Sequence, residues 1–180
     1  MAIEIVRVYR EHFPALRFIG KCYTNADRDS AGGFGSQWGK WFEKGWFDEL
    51  AKLSVLQGVE SGSLGFMGCG ENENSFQYWI GFFFPENTPV PEGFSSVDVP
   101  AGDVGVCWIK GNAETRELYG EVPHNMCMEK LKENGMGVLR DNLKGGTEKW
   151  HWFFERYNCQ RFTEKAADGT VILDYGMYIC

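Results

Sequence analysis

The stretch Val99-Pro100-Ala101-Gly102-Asp103-Val104-Gly105-Val106-Cys107-Trp108 joins two β-rich segments, 95–99 and 104–110, parted by Pro-Ala-Gly. Valine favours the pleated strand, while proline lacks a backbone N–H and interrupts a ladder. An echo of it stands earlier. Phe13-Pro14-Ala15 with Gly20-Lys21-Cys22-Tyr23 parallels Val99-Pro100-Ala101 with Gly105-Val106-Cys107-Trp108. Tyr78-Trp79-Ile80-Gly81 likewise parallels Leu173-Asp174-Tyr175-Gly176, in the same order within its half. Short matches in a conserved order predict an internal duplication.

Outward from these motifs, the elements fall into place. Residues 3–9 and 16–23 read as strands flanking His12-Phe13-Pro14-Ala15. Gly32-Gly33-Phe34-Gly35 ends a loop, and Ser36 is positioned to cap a helix over 36–53. On that helix Trp38, Phe42, Trp46, Leu50 and Leu53 form an apolar stripe at three- and four-residue spacing. Strands over 63–69 and 76–84 follow, joined by the polar turn 70–74. The Pro-rich linker 85–93 lies at the middle of the chain. After it come strands, a helix ending near 134 that admits Pro123 only in its first turn, and strands over 150–157 and 171–179. Each half, 1–84 and 94–180, therefore reads as strand, helix, strand, strand within a single domain over 1–180. The fold class is α+β, with duplicated βαββ modules forming an antiparallel sheet with two helices.

Composition narrows the function. The 180 residues carry a net charge of −7 without a Lys/Arg cluster, which argues against direct nucleic-acid binding. Aromatic residues make up 16% of the chain, more rings than a small core easily hides, so an aromatic-lined cavity or interface is expected. The six cysteines form no Cys-x-x-Cys pair and the three histidines have no zinc spacing, so no metal and no cofactor is expected. There is no signal-peptide pattern and no apolar run of membrane length; the expectation is a soluble, cytoplasmic protein with no membrane association.

Three segments taken in order, Val99-Pro100-Ala101-Gly102-Asp103-Val104-Gly105-Val106, Phe153-Phe154-Glu155-Arg156-Tyr157 and Val171-Ile172-Leu173-Asp174-Tyr175, resemble the GyrI-like family. That family includes the effector-binding domains of AraC-type and MerR-type transcription regulators. Tyr78-Trp79-Ile80-Gly81-Phe82-Phe83-Phe84-Pro85 resembles its N-terminal module. The resemblance implies a SOUL-like pair of βαββ modules about a pseudo-twofold axis, with a ligand cleft between them. It also implies small hydrophobic, often cationic ligands, as in multidrug binding. Some stand-alone members are similar to hydrolases that open cyclopropane-bearing alkylating compounds. The motif places the family's cleft-facing acid on Glu155. No segment is left over for a helix-turn-helix domain, so a stand-alone regulatory or sequestering protein is expected.

Glu155 lies in the aromatic run 150–157, and strand alternation puts it on one face with His151, Phe153 and Tyr157. A carboxylate among rings should have a raised pKa, suiting it to hold a cation or to act as general acid or base. The plain alternative is a carboxylate that faces water or pairs with a neighbouring basic residue on the sheet surface. Tyr157 is placed to orient it. Tyr78, Trp79, Trp108 and Tyr175 are the candidate ligand-binding rings, each with core packing as its alternative. His124 and Cys127 share a helix face but have no partners for nucleophilic catalysis in the sequence. The leading expectation is a binding protein for a small hydrophobic or cationic ligand. The rivals are a hydrolase using Glu155 and Tyr157, and a protein that masks a protein partner.

Overall fold

The computed structural model describes residues 3–53, 62–69, 76–138 and 152–179. Eight strands make one antiparallel sheet: β1 (Glu4–Phe13), β2 (Leu16–Tyr23), β3 (Leu64–Cys69), β4 (Phe76–Pro85), β5 (Ser95–Val99), β6 (Gly102–Gly111), β7 (Phe153–Arg156) and β8 (Val171–Tyr178). Their order across the sheet is β1-β6-β8-β7-β3-β4-β2-β5. The order is mirrored about its centre: β2-β4-β3 of one half faces β7-β8-β6 of the other.

The two Pro-Ala pairs explain how the ends of the sheet are joined. β1 and β2 are separated only by Pro14-Ala15, yet they do not pair with each other. β1 pairs with β6 from Arg7↔Trp108 to Phe13↔Gly102, and β2 continues the same register with β5 from Leu16↔Val99 to Gly20↔Ser95. Pro14-Ala15 thus faces Pro100-Ala101 in one long ribbon that breaks where neither proline can donate to the ladder. In a flat sheet β1 and β2 would stand about 29 Å apart at ~4.8 Å per strand, whereas their two-residue link reaches only about 11 Å. The sheet must therefore curl until its two edges meet.

The curl gives the sheet an inner face filled by its own side chains. Phe66 stacks on Phe18 at 4.7 Å and on Trp152 at 4.4 Å, and Phe13 stacks on Phe154 at 5.7 Å. Phe154 lies over Gly176, its register partner, where a Cβ would come within 2.1 Å of the ring. A buried charge cluster shares this face: Asp174 accepts from Arg156 at 3.1 Å and from Arg161 Nε at 2.6 Å, and Glu11 accepts from Arg156 at 3.3 Å.

The outer face is covered by helices. The helix expected over 36–53 is two helices, α1 (Gly35–Lys44) and α2 (Trp46–Leu50), because Gly45 takes a left-handed conformation (φ 66°) that ends the first. Ser36 is not its cap; it lies inside α1, which starts after Phe34 with no side-chain cap. Without a continuous helix the expected stripe also rotates: Trp41 is fully buried and Phe42 is 70% exposed. α3 (Glu121–Glu133) carries Pro123 in its first turn, and a short α4 (Gln160–Thr163) precedes β8. There are thus four α-helices among the described residues, two more than expected, besides a short 3-10 turn at Asn25–Asp27. β1 runs four residues beyond its expected end, while β7 is shorter than expected at both described ends. The turn 70–74 and residues 150–151, including His151, lie outside the described residues. No helix among the described residues is long and apolar enough to cross a membrane.

Candidate ligand-binding cleft

The outer face opens at the centre of the sheet, where β3 and β7 meet between α1 and α3. A cavity of about 1290 Å³ sits there, larger than the usual range for a drug-sized ligand. Glu155 is on its wall, in register with Gly65 of β3 on one side and Tyr175 of β8 on the other. The glycine leaves the room: a Cβ at Gly65 would sit 2.7 Å from the Tyr78 hydroxyl and 3.4 Å from the Tyr157 ring.

Glu155 is 5% exposed, and the hydroxyl of Tyr157 donates to its carboxylate. Burial pushes its pKa up to about 7, and the Tyr157 hydrogen bond offsets only part of that rise. No Lys or Arg among the described residues forms a salt bridge with it. Four phenols share the cavity. Burial, with Glu155 next in effect, raises Tyr78, Tyr157 and Tyr175 well above the usual phenol value and Tyr119 to about 12. All four remain neutral at physiological pH.

Both helices contribute to the walls. Trp38 of α1 donates its Nε1–H to the Tyr78 hydroxyl at 2.9 Å, and its ring meets Tyr157 edge-on at 4.8 Å. Across the cleft, His124 of α3 is paired through Nδ1 with the Tyr175 hydroxyl at 2.8 Å and stands over Phe153 at 4.7 Å. Phe34 stacks on Tyr78 at 4.1 Å with the rings nearly parallel.

Of the residues singled out from sequence, Glu155, Tyr157, Tyr78 and Tyr175 are brought together here. Trp79 and Trp108 do not line this cavity, because alternation along β4 and β6 turns them to the inner face. Trp79 packs against Phe18 and donates to Gln77 at 3.0 Å. The guanidinium groups of Arg7 and Arg161 each lie 4.6 Å from the centroid of the Trp108 ring. His124 is a wall residue, but Cys127 is fully buried against Cys107, and that contact and burial hold its thiol protonated. Sequence reasoning did not single out Tyr119, Phe153 or Phe34 as wall residues. Phe153 was legible from its two-residue spacing to Glu155; Tyr119 and Phe34 lie in the segments leading into α3 and α1, where periodicity carries no signal. Among the described residues no group of three His, Cys, Asp or Glu side chains could hold a metal.

Neither a family model nor a curated protein matches the sequence. Among solved structures, SAV2435 bound to tetraphenylphosphonium aligns with 97% of this chain and 94% of its own, at 14% identity and TM-score 0.60. A protein from Staphylococcus aureus MU50, described in terms of bacterial transcription regulation, aligns over 96% and 97% at 16% identity and TM-score 0.56. A hydrolase encoded by lin2189 from Listeria innocua aligns over 97% and 92% at 10% identity and TM-score 0.50. The identities are low, and the likeness is one of architecture: the chain has the GyrI-like α+β fold.

Proposed function

We propose that this chain binds hydrophobic cations of small-molecule size, in a regulatory or sequestering role. The carrying observation is a buried carboxyl, Glu155, with a hydrogen-bond donor but no cationic partner among the described residues, in a cavity walled by rings from both halves. An incoming cation supplies the missing countercharge, and the faces of Trp38, Tyr157 and Phe153 solvate it through their quadrupoles. The tetraphenylphosphonium carried by one structural neighbour is of this chemical class. We read 1–84 and 94–180, joined by 85–93, as duplicated modules; the mirrored strand order supports that reading.

The raised pKa makes the reading testable by pH. A permanent cation prefers ionised Glu155, so tetraphenylphosphonium affinity should rise about tenfold per pH unit below 7 and level off above it. Near neutrality, calorimetry in buffers of different ionisation enthalpy should detect a proton released on binding. Without ligand the sign reverses. The folded protein binds the Glu155 proton more tightly than the unfolded chain, whose value is near 4.5. That contribution, about 3 kcal/mol, is fully present below pH 4.5 and is lost as pH rises through 7. A flat affinity profile between pH 5 and 8 would remove Glu155 from cation binding.

A second reading is favoured by the Tyr157–Glu155 contact. A carboxyl with a pKa near 7 and an adjacent phenol can activate water against an electrophilic ligand, with Tyr157 donating to the departing group. In that case incubation with a cyclopropane-bearing alkylator yields a water adduct by mass spectrometry. The adduct should disappear in Glu155→Gln while the compound still binds. Recovery of unchanged compound from the wild type excludes hydrolysis of that alkylator.

A further inference from the structure

The mouth of the cleft carries a cation of the protein's own. Arg28, in the segment before α1, places its guanidinium 4.8 Å from the centroid of Phe34 and 5.3 Å from that of Phe76. Tyr78 already covers one face of Phe34, so the guanidinium takes the other. The result is a column, Arg28–Phe34–Tyr78, running from the rim to the glycine gap beside Glu155. Arg28 is held in place as well as stacked: its Nε donates to Asn25 at 2.9 Å and one terminal nitrogen donates to the Gly32 carbonyl at 2.7 Å. Arg116, on the opposite module, reaches across to the Ala31 carbonyl at 3.3 Å from a left-handed backbone position (φ 63°).

The acids at this rim are mostly engaged. Asp29 accepts from the backbone N–H groups of Ala31 and Gly33 at 3.0 Å and of Ser36 at 3.4 Å, and Glu114 pairs with Lys165. Only Glu121, at the start of α3, is left as an exposed acid facing the cavity without an ion pair among the described residues. The cleft thus has a carboxyl at its floor, while at its mouth Arg28 and Arg116 stand among acids of which Asp29 is held by backbone donors and Glu114 by Lys165.

We propose that Arg28 is a specificity-determining residue that sets the charge accepted at the outer end of the ligand. This rests on the cation-binding reading of Glu155 and deepens it. The preferred ligand carries one cationic centre that goes inward and an acidic or neutral outer end. A second positive charge at the outer end meets Arg28 already seated on the aromatic station it would need. An outer carboxylate instead meets the unused donors of the same guanidinium.

Three triphenylphosphonium probes with the same alkyl spacer test this: one ends in methyl, one in carboxylate and one in ammonium. With wild-type protein at pH 8 and low ionic strength, the carboxylate probe should bind about three- to fivefold more tightly than the ammonium probe, a range set by the exposure of Arg28. In Arg28→Gln that ratio should fall to about one, while the methyl-ended probe keeps its affinity within about twofold. If the methyl-ended probe fails to bind the wild type, the cation-binding reading itself fails. If all three bind wild type equally, or the ratio survives in Arg28→Gln, the cation site stands and the role of Arg28 is overturned. A loss of thermal stability in Arg28→Gln does not affect the comparison, because the methyl-ended probe reports the intact site within the same variant.

Discussion

Replacing Glu155 by Gln is expected to lower the affinity for tetraphenylphosphonium by about two orders of magnitude at pH 8, while neutral triphenylphosphine oxide should lose less than about threefold. The first figure reflects the removal of a desolvated charge from contact with a cation, about 2–3 kcal/mol in such sites. The second follows because Gln preserves the shape of the wall and can still accept from Tyr157. Isothermal titration of both ligands decides it. Equal losses for cation and neutral isostere would mean that the substitution acts through shape, and Glu155 would have no electrostatic role. The same variant should also lose the pH dependence of stability described above, since Gln has no proton to lose. With ligand absent, its melting temperature at pH 8 should exceed that of the wild type, because no buried carboxylate has to be ionised there.

The second large effect concerns the inner face. Asp174→Asn is expected to destabilise the protein by about 3–5 kcal/mol, read from urea denaturation. Asp174 and Arg156 are both fully buried, and Arg161 adds a second guanidinium to the same carboxylate. Asn keeps the size but removes the charge that both guanidinium groups face, and Glu11 pairs only with the Arg156 side of the cluster at 3.3 Å. Losing a fully buried countercharge is the costly outcome, and it is distinct from the worth of the pair itself. The double replacement Arg156→Met with Asp174→Leu should accordingly be milder than Asp174→Asn alone. A loss under about 1 kcal/mol in the single variant would show that water reaches the cluster. The cluster also bears on the cleft. Arg156 lies between Glu155 and Tyr157 in the chain, and its anchorage on the inner face turns those two neighbours to the outer one.

Much of the fold was legible in local sequence. Strands β2 and β5 run where β-branched and aromatic residues predicted them, and Pro123 sits in the first turn of α3 as its missing N–H requires. The single helix expected over 36–53 is interrupted because Gly45 takes a positive φ that ends one helix and starts another. That break moves burial from Phe42 to Trp41, a shift that helical periodicity alone does not reveal.

What the sequence determined by itself is the element order, the repeated Pro-Ala break, and a carboxyl set in an aromatic run at 155. These are local properties: alternation, turn chemistry and residue type act over a few positions. Which aromatic residues belong to the cleft was decided only by the tertiary structure. Both faces of this sheet are buried, one by its own curl and the other by helices, so hydrophobicity does not tell them apart. Tyr78 and Trp79 are neighbours of similar character that end on opposite faces, the first beside Glu155 and the second in the core. The arginine-rimmed mouth is likewise absent from any local pattern. Arg28 and Arg116 lie 88 positions apart in the chain, and they line one cavity because the long β1–β2 and β5–β6 ribbon brings the two halves together.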